Sequence, residues 1–211
     1  MDLLDKILEN LTYDTVTDTE LTVLLSGTPA SRYNQIKRAL ANGKLIHLRR
    51  GLYQLAKRYQ RRPPNAFEVA QKIYGPSYVS FESALSHHGL IPEAVYGVTS
   101  ACLKRSRTFE TPIGVYSFSQ VPRRIFYMGV ERVEKERAVY LMATPAKALA
   151  DYVFCRHQTW PGTGELLESL RIEKSELKIN PIEIELLAKE YRTARVAHML
   201  EGLRKMQSDE H

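Results

Sequence analysis

Ser31, Asn34, Gln35 and Arg38 recur at i, i+3, i+4 and i+7, a spacing that sets four polar side chains on one face of a helix. Their chemistry is that of reading base edges. Asn and Gln pair in bidentate fashion with adenine and Arg with guanine, while Ser31 and the flanking Arg32 and Lys37 can reach phosphate. The opposite face carries Tyr33, Ile36 and Leu40 and is expected to pack inward. A second set with chemical capacity is Ser80, Glu82, Ser83, Ser86, His87 and His88, with Lys147 and Asp151 further on. Glu82, Asp151 and Lys147 make a metal-dependent nuclease an alternative, since phosphodiester cleavage uses carboxylates to hold a cation beside the scissile phosphate. Spacing does not single that chemistry out. Lys147 and Asp151, four apart, make an ordinary helix-surface ion pair. His87 and His88 are adjacent, point to different sides of a helix and cannot chelate as an i,i+4 pair would. No glycine elbow flanks Ser86. Capping and packing explain this set, so no catalytic residue, metal or cofactor is expected.

The elements that must position the polar face are legible around it. Thr17 and Glu20 stand at capping-box spacing and open a helix whose buried stripe is Leu21, Leu24 and Leu25. Gly27 breaks it. Thr28-Pro29 starts the next helix, because Thr caps an N-terminus and proline at the first helical position loses no needed hydrogen bond. Asn42-Gly43 stops that helix, and two short apolar runs, Leu45 to Leu48 and Leu52 to Leu55, follow as a hairpin joined through Arg49-Arg50-Gly51. Helix, turn, helix and basic hairpin in this order is the plan of a winged helix-turn-helix. Leu3, Leu4, Ile7, Leu8 and Leu11 supply a preceding helix to pack across the other two.

Charge points to the partner. The chain of 211 residues carries a formal net charge of +6, and no Asp or Glu occurs from Leu21 to Phe67, a stretch that holds Arg32, Lys37, Arg38, Lys44, Arg49, Arg50, Lys57, Arg58, Arg61 and Arg62. Ordinary surface helices mix signs, whereas a one-sign patch suits phosphate neutralisation with counterion release. Double-stranded DNA is the economical partner, with Arg58, Arg61 and Arg62 of the linker extending the footprint. The acidic opening MDLLDKILEN and the lack of a long apolar run argue against export and membrane insertion. Two cysteines, Cys102 and Cys155, make no disulfide framework and fit a reducing cytoplasm.

Pro63-Pro64 marks a boundary, which divides the chain into a winged domain at 1–62, an α+β domain at 65–156 and a helical extension at 157–211 that packs on the second domain. Asn65 and Glu68 start a helix with Phe67, Ala70 and Ile73 inward. From Val95, runs of β-branched and aromatic residues read as an antiparallel sheet, with Lys104, Arg105 and Arg107 on a turn as a candidate second basic surface. Thr144-Pro145 opens a helix that covers the sheet. Beyond His157-Gln158-Thr159, helices are expected from Leu166, after Asn180-Pro181 and from Thr193, and the tail MQSDEH is expected to fray. The last two helices either cap the second domain or pair chains.

The segments RRGLYQL, YVSFESALSHHGLIP, TSACLKRSRTFETPIGVYSF and MATPAKALADYVF together resemble the AbiEi-type antitoxins of bacterial type IV toxin-antitoxin (abortive infection) systems. The likeness runs from about the second helix to Phe154. It implies a cytoplasmic repressor that binds inverted repeats in its own promoter through the winged domain, and operator symmetry then favours a non-enzymatic homodimer on DNA. It also implies a second domain that counters a nucleotidyltransferase toxin without forming a stable complex with it. An effector-responsive regulator with no toxin partner is the other alternative.

Overall fold

The computed structural model describes residues 2–92, 96–156 and 160–208. Its architecture is mixed α+β. The chain begins with α1 (Leu3–Asn10), β1 (Thr15–Thr17), α2 (Asp18–Leu24), α3 (Pro29–Ala41), β2 (Leu45–Arg49) and β3 (Leu52–Leu55). Local chemistry sets these boundaries. Thr17 and Glu20 form the reciprocal capping box of α2. The Thr28 hydroxyl accepts from the Ser31 amide, with Pro29 at the first turn of α3. The three strands form a small antiparallel sheet in the order β1-β3-β2. β1, too short to show any alternation, was not visible in the sequence. Leu3, Leu4, Ile7, Val16, Leu21, Leu25, Ala39, Leu45, Tyr53 and Leu55 close a core beneath the three helices.

Beyond it come α4 (Ala66–Ile73), β4 (Ser77–Val79), α5 (Phe81–His87), β5 (Gly97–Cys102), β6 (Arg107–Thr111), β7 (Gly114–Gln120), β8 (Val130–Lys135) and β9 (Ala138–Ala143), then α6 (Pro145–Cys155), α7 (Thr163–Ser169), α8 (Pro181–Tyr191) and α9 (Ala194–Ser208). The sheet departs from the antiparallel expectation. Its order is β6-β7-β5-β4-β9-β8, and β4 lies parallel to β9 and β5 parallel to β7 while the other pairs are antiparallel. Inserting the three-residue β4 between β5 and β9 separates runs that look like consecutive hairpins. α4 packs on β4, β5 and β9, and α6 joins α5, α8 and α9.

One large apolar cluster continues from α4 through the sheet into α7, α8 and α9, and it includes Leu48 and Leu52 of the first hairpin. The basic stretch around Pro63-Pro64 is therefore not a free tether between units. Lys72 Nζ donates to the Thr15 carbonyl at 3.3 Å and Arg62 pairs with Glu68 at 2.7 Å. The expectations at Val95, at His157-Gln158-Thr159 and for residues 209–211 lie outside the described residues.

Candidate nucleic-acid interface

The N-terminal unit holds α3 by one side. Ala39 is buried and Ile36 and Leu40 are partly buried against the core. Tyr33 is the exception to the expected packing stripe: it is 66% exposed. Its turn of α3 lies over a groove of about 510 Å³ between α3 and the hairpin, lined by Asp18, Thr22, His47, Arg50 and Tyr53 among others. On the outer side Ser31, Asn34, Lys37 and Arg38 are exposed and Gln35 is half-buried. None of these five side chains makes a hydrogen bond or ion pair among the described residues, as the bonds that α3 does make show: Arg32 donates to the Gly27 carbonyl at 2.7 Å, and Thr28 caps the helix. Arg32 thus clamps the turn before the helix and is only half-exposed.

Arginines alike in sequence part company in space. Arg49 turns back: one guanidinium nitrogen donates to the Arg50 carbonyl at 2.9 Å and the other to the Lys72 carbonyl at the end of α4 at 3.4 Å. Arg50 stays exposed, so the hairpin tip presents one cation rather than the two expected. The turn is set by Gly51, at φ +74, whose carbonyl accepts from the Asp18 amide at 3.0 Å. Arg61 binds Asp14 at 2.9 Å and the Leu8 carbonyl at 2.6 Å. Arg62 holds Glu68 and reaches the Glu136 carbonyl at 3.3 Å. Arg58 lies over the Tyr59 ring at 4.7 Å and donates weakly to the Asn42 carbonyl at 3.3 Å. A sequence free of acids from Leu21 to Phe67 is therefore not acid-free in space, because Asp14 and Glu68 fold back onto it.

Near α3, Asp2 binds Lys44 in a cleft that also contains Gln35 and Arg38. Hydrogen bonding to Lys44 holds the Asp2 carboxyl below its usual range and raises the Lys44 ammonium in turn. Lys104, Arg105 and Arg107 are all exposed. Lys104 sits 5.3 Å from the Tyr74 ring centre, Arg107 lies 4.8 Å over Phe109, and Arg105 is exposed.

The remaining candidates do not assemble into one site. Lys147 and Asp151 are fully buried, against the expectation of a helix-surface pair. Lys147 Nζ lies 3.1 Å from Asp151 Oδ1 and donates to Ile125 O at 2.9 Å and Tyr191 Oη at 2.8 Å. Asp151 Oδ2 accepts from Tyr78 and Ser80, each at 2.8 Å, and Oδ1 accepts from Tyr191 at 2.5 Å. Ser80 spends its hydroxyl here and makes no side-chain cap on α5. Burial pushes Lys147 down against the pull of Asp151 and drives Tyr78 and Tyr191 well up. Glu82 lies apart, paired with Arg156 at 2.5 Å. His87 and His88 meet edge to face at 5.6 Å, because His88 lies past the helical turn and its Nε2 sits 2.8 Å from the Ala143 carbonyl. Among the described residues no group of three or more His, Cys, Asp or Glu is placed to hold a metal, and no helix is long and apolar enough to cross a membrane.

No family model matches the chain, and no curated protein matches it. In three dimensions the chain is similar to the RV2827C protein from Mycobacterium tuberculosis, known from a crystal structure, with a TM-score of 0.60 at 14% identity over 98% of this chain and 78% of that one. At that identity the likeness is one of fold alone.

Proposed function

We propose that α1, α2, α3 and the β2–β3 hairpin form a winged helix-turn-helix that binds double-stranded DNA, with α3 in the major groove and Arg50 on the phosphate backbone. The observation that carries this reading is the contrast among the basic and amide side chains. Ser31, Asn34, Gln35, Lys37, Arg38 and Arg50 have no partner in the fold among the described residues, whereas Arg49, Arg61 and Arg62 are bound within it. Polar side chains left unpaired on one helix face, beside a single exposed hairpin cation, are what base-edge and phosphate contacts require.

The sequence resemblance to AbiEi-type antitoxins extends the proposal. The protein is then a cytoplasmic, non-enzymatic repressor of its own promoter that binds inverted repeats as a homodimer and counters a nucleotidyltransferase toxin through its second unit, without a stable complex. The nuclease alternative finds no support in the geometry, since Asp151 and Lys147 are sealed and Glu82 is elsewhere.

The test is a titration of the full chain with its promoter DNA and with a scrambled duplex. Arg38→Ala is expected to cost about 1–3 kcal/mol on the promoter sequence and much less on the scrambled one. Equal affinity of the unmodified protein for both duplexes would remove the repressor reading, and equal losses on both in Arg38→Ala would remove α3 as the reading helix.

A further inference from the structure

We propose that β8, at one edge of the large sheet, pairs antiparallel with β8 of a second copy of this chain about a two-fold axis at Val133. The edge is open. β8 ends the strand order and is bonded on one side only, to β9. Glu136 and Arg137, at φ 52 and 67, make the turn between these strands. In such a hairpin the residues flanking the turn exchange both ladder bonds, and here they are Lys135 and Ala138. Alternation then turns the backbone N–H and C=O groups of Lys135, Val133 and Glu131 toward β9 and those of Glu134 and Arg132 outward. Among the described residues no hydrogen bond satisfies the outward groups. A row of this kind is a template for one more strand.

Side chains decide which strand it takes. Charge usually guards an edge, because like charges meet when two copies pair. Here the order Glu131-Arg132-Val133-Glu134-Lys135 changes sign about Val133. Pairing centred on Val133 sets Glu131 opposite the partner's Lys135 and Arg132 opposite the partner's Glu134, while the two valines meet on the axis. Neighbouring registers fail. Outward backbone groups must face outward ones, so the axis can move only to Arg132 or Glu134, and each of these then stands against its own copy. Like charges directly opposite destabilise a strand pair.

The charges are already placed for the exchange. Arg132 and Glu134 lie 2.9 Å apart on one face, with side chains 60% and 62% exposed. The copy contributes the same pair in reverse, which completes an alternating cluster. On the other face Glu131 stands close enough to Glu183 of α8 to help burial raise that carboxyl. The partner's Lys135 offsets this negative charge. A two-fold axis is also what inverted-repeat DNA presents. The proposal thus gives the homodimer of the DNA-binding reading a surface, without resting on any contact to DNA.

Sedimentation velocity of the full chain in the absence of DNA tests it, over a roughly hundredfold range of micromolar concentrations. A monomer–dimer equilibrium is expected. Arg132→Glu and Glu134→Arg should each weaken it by roughly tenfold or more, since symmetry places each new like-charge contact on both sides of the axis. Mixed in equal amounts, the two variants should associate with each other as the parent does with itself, because each meets the charge it lacks. Glu134→Pro removes an outward N–H and no bond to β9, and should also weaken the dimer. Arg132 and Glu134 are exposed, so these changes leave the fold standing, which circular dichroism checks. The proposal is overturned if the parent stays monomeric throughout, if folded Arg132→Glu and Glu134→Arg each self-associate as the parent does, or if their mixture associates no better than either alone.

Discussion

Removing the charge of Asp151 alone is expected to cost about 3–5 kcal/mol, because it leaves the Lys147 ammonium sealed in the interior without a counter-ion. The structure gives the reasons for so large a figure. Both side chains have no solvent exposure, and Nζ lies 3.1 Å from the carboxylate. Asp151→Asn keeps an amide oxygen for the hydroxyls of Tyr78 and Ser80, while its NH2 stands where Oδ1 accepted from Tyr191, so its effect is the lost charge together with that one hydrogen bond. Lys147→Met is expected to cost a similar amount from the other side, leaving the carboxylate unpaired. The double variant Lys147→Met/Asp151→Asn buries no charge and keeps an acceptor for Tyr78 and Ser80. It should lose only about 1–2 kcal/mol, so the two single losses fail to add by several kcal/mol. Urea unfolding followed by circular dichroism measures all three against the parent, with an unchanged slope confirming that stability alone has altered. Single losses below about 1 kcal/mol, or a double loss equal to the sum of the singles, would refute the reasoning that this is a closed, mutually dependent pair.

Two further outcomes follow from the geometry. Gly51→Ala should destabilise by about 1–2 kcal/mol, since φ is +74 and a β-carbon would meet Asp18 Oδ2 at 3.1 Å, and thermal unfolding reads the loss directly. Burial raises the Tyr116 phenol to about 12 from an ordinary 10.0. The unfolded chain then releases this proton first, so stability is intact below pH 10 and falls between pH 10 and 12. Tyr116→Phe should flatten that part of a pH series of urea midpoints, where one such shift is worth roughly 2–3 kcal/mol.

Helix starts were the most legible feature of the sequence, and the reason is locality. Thr17 with Glu20, Thr28-Pro29, Asn65, Thr144-Pro145 and Asn180-Pro181 each satisfy free backbone amides within a few residues, and each is a helix N-cap in the structure. Strand pairing was not legible in the same way. The parallel pairs β4–β9 and β5–β7 join segments whose partners nothing local specifies, and β4 has only three residues. Lys147 and Asp151 read as a surface pair because the tyrosines that seal them come from β4 and α8, distant in sequence. Arg61 and Arg62 read as free cations because their acids, Asp14 and Glu68, stand just outside the acid-free stretch. The polar face of α3 was legible as a helical period. That Tyr33 faces a groove was not, because period alone does not tell where the core beneath a helix ends.

The salt dependence of DNA affinity tests the central claim most directly, because the slope counts phosphate contacts. Arg50→Ala should reduce the slope of log K against log salt by about 0.9, the amount expected for one lost contact, while Arg61→Ala and Arg62→Ala should leave it unchanged in folded protein. A reduction of similar size in Arg61→Ala or Arg62→Ala, with none in Arg50→Ala, would contradict the claim that the cations left unpaired by the fold are the ones that meet DNA.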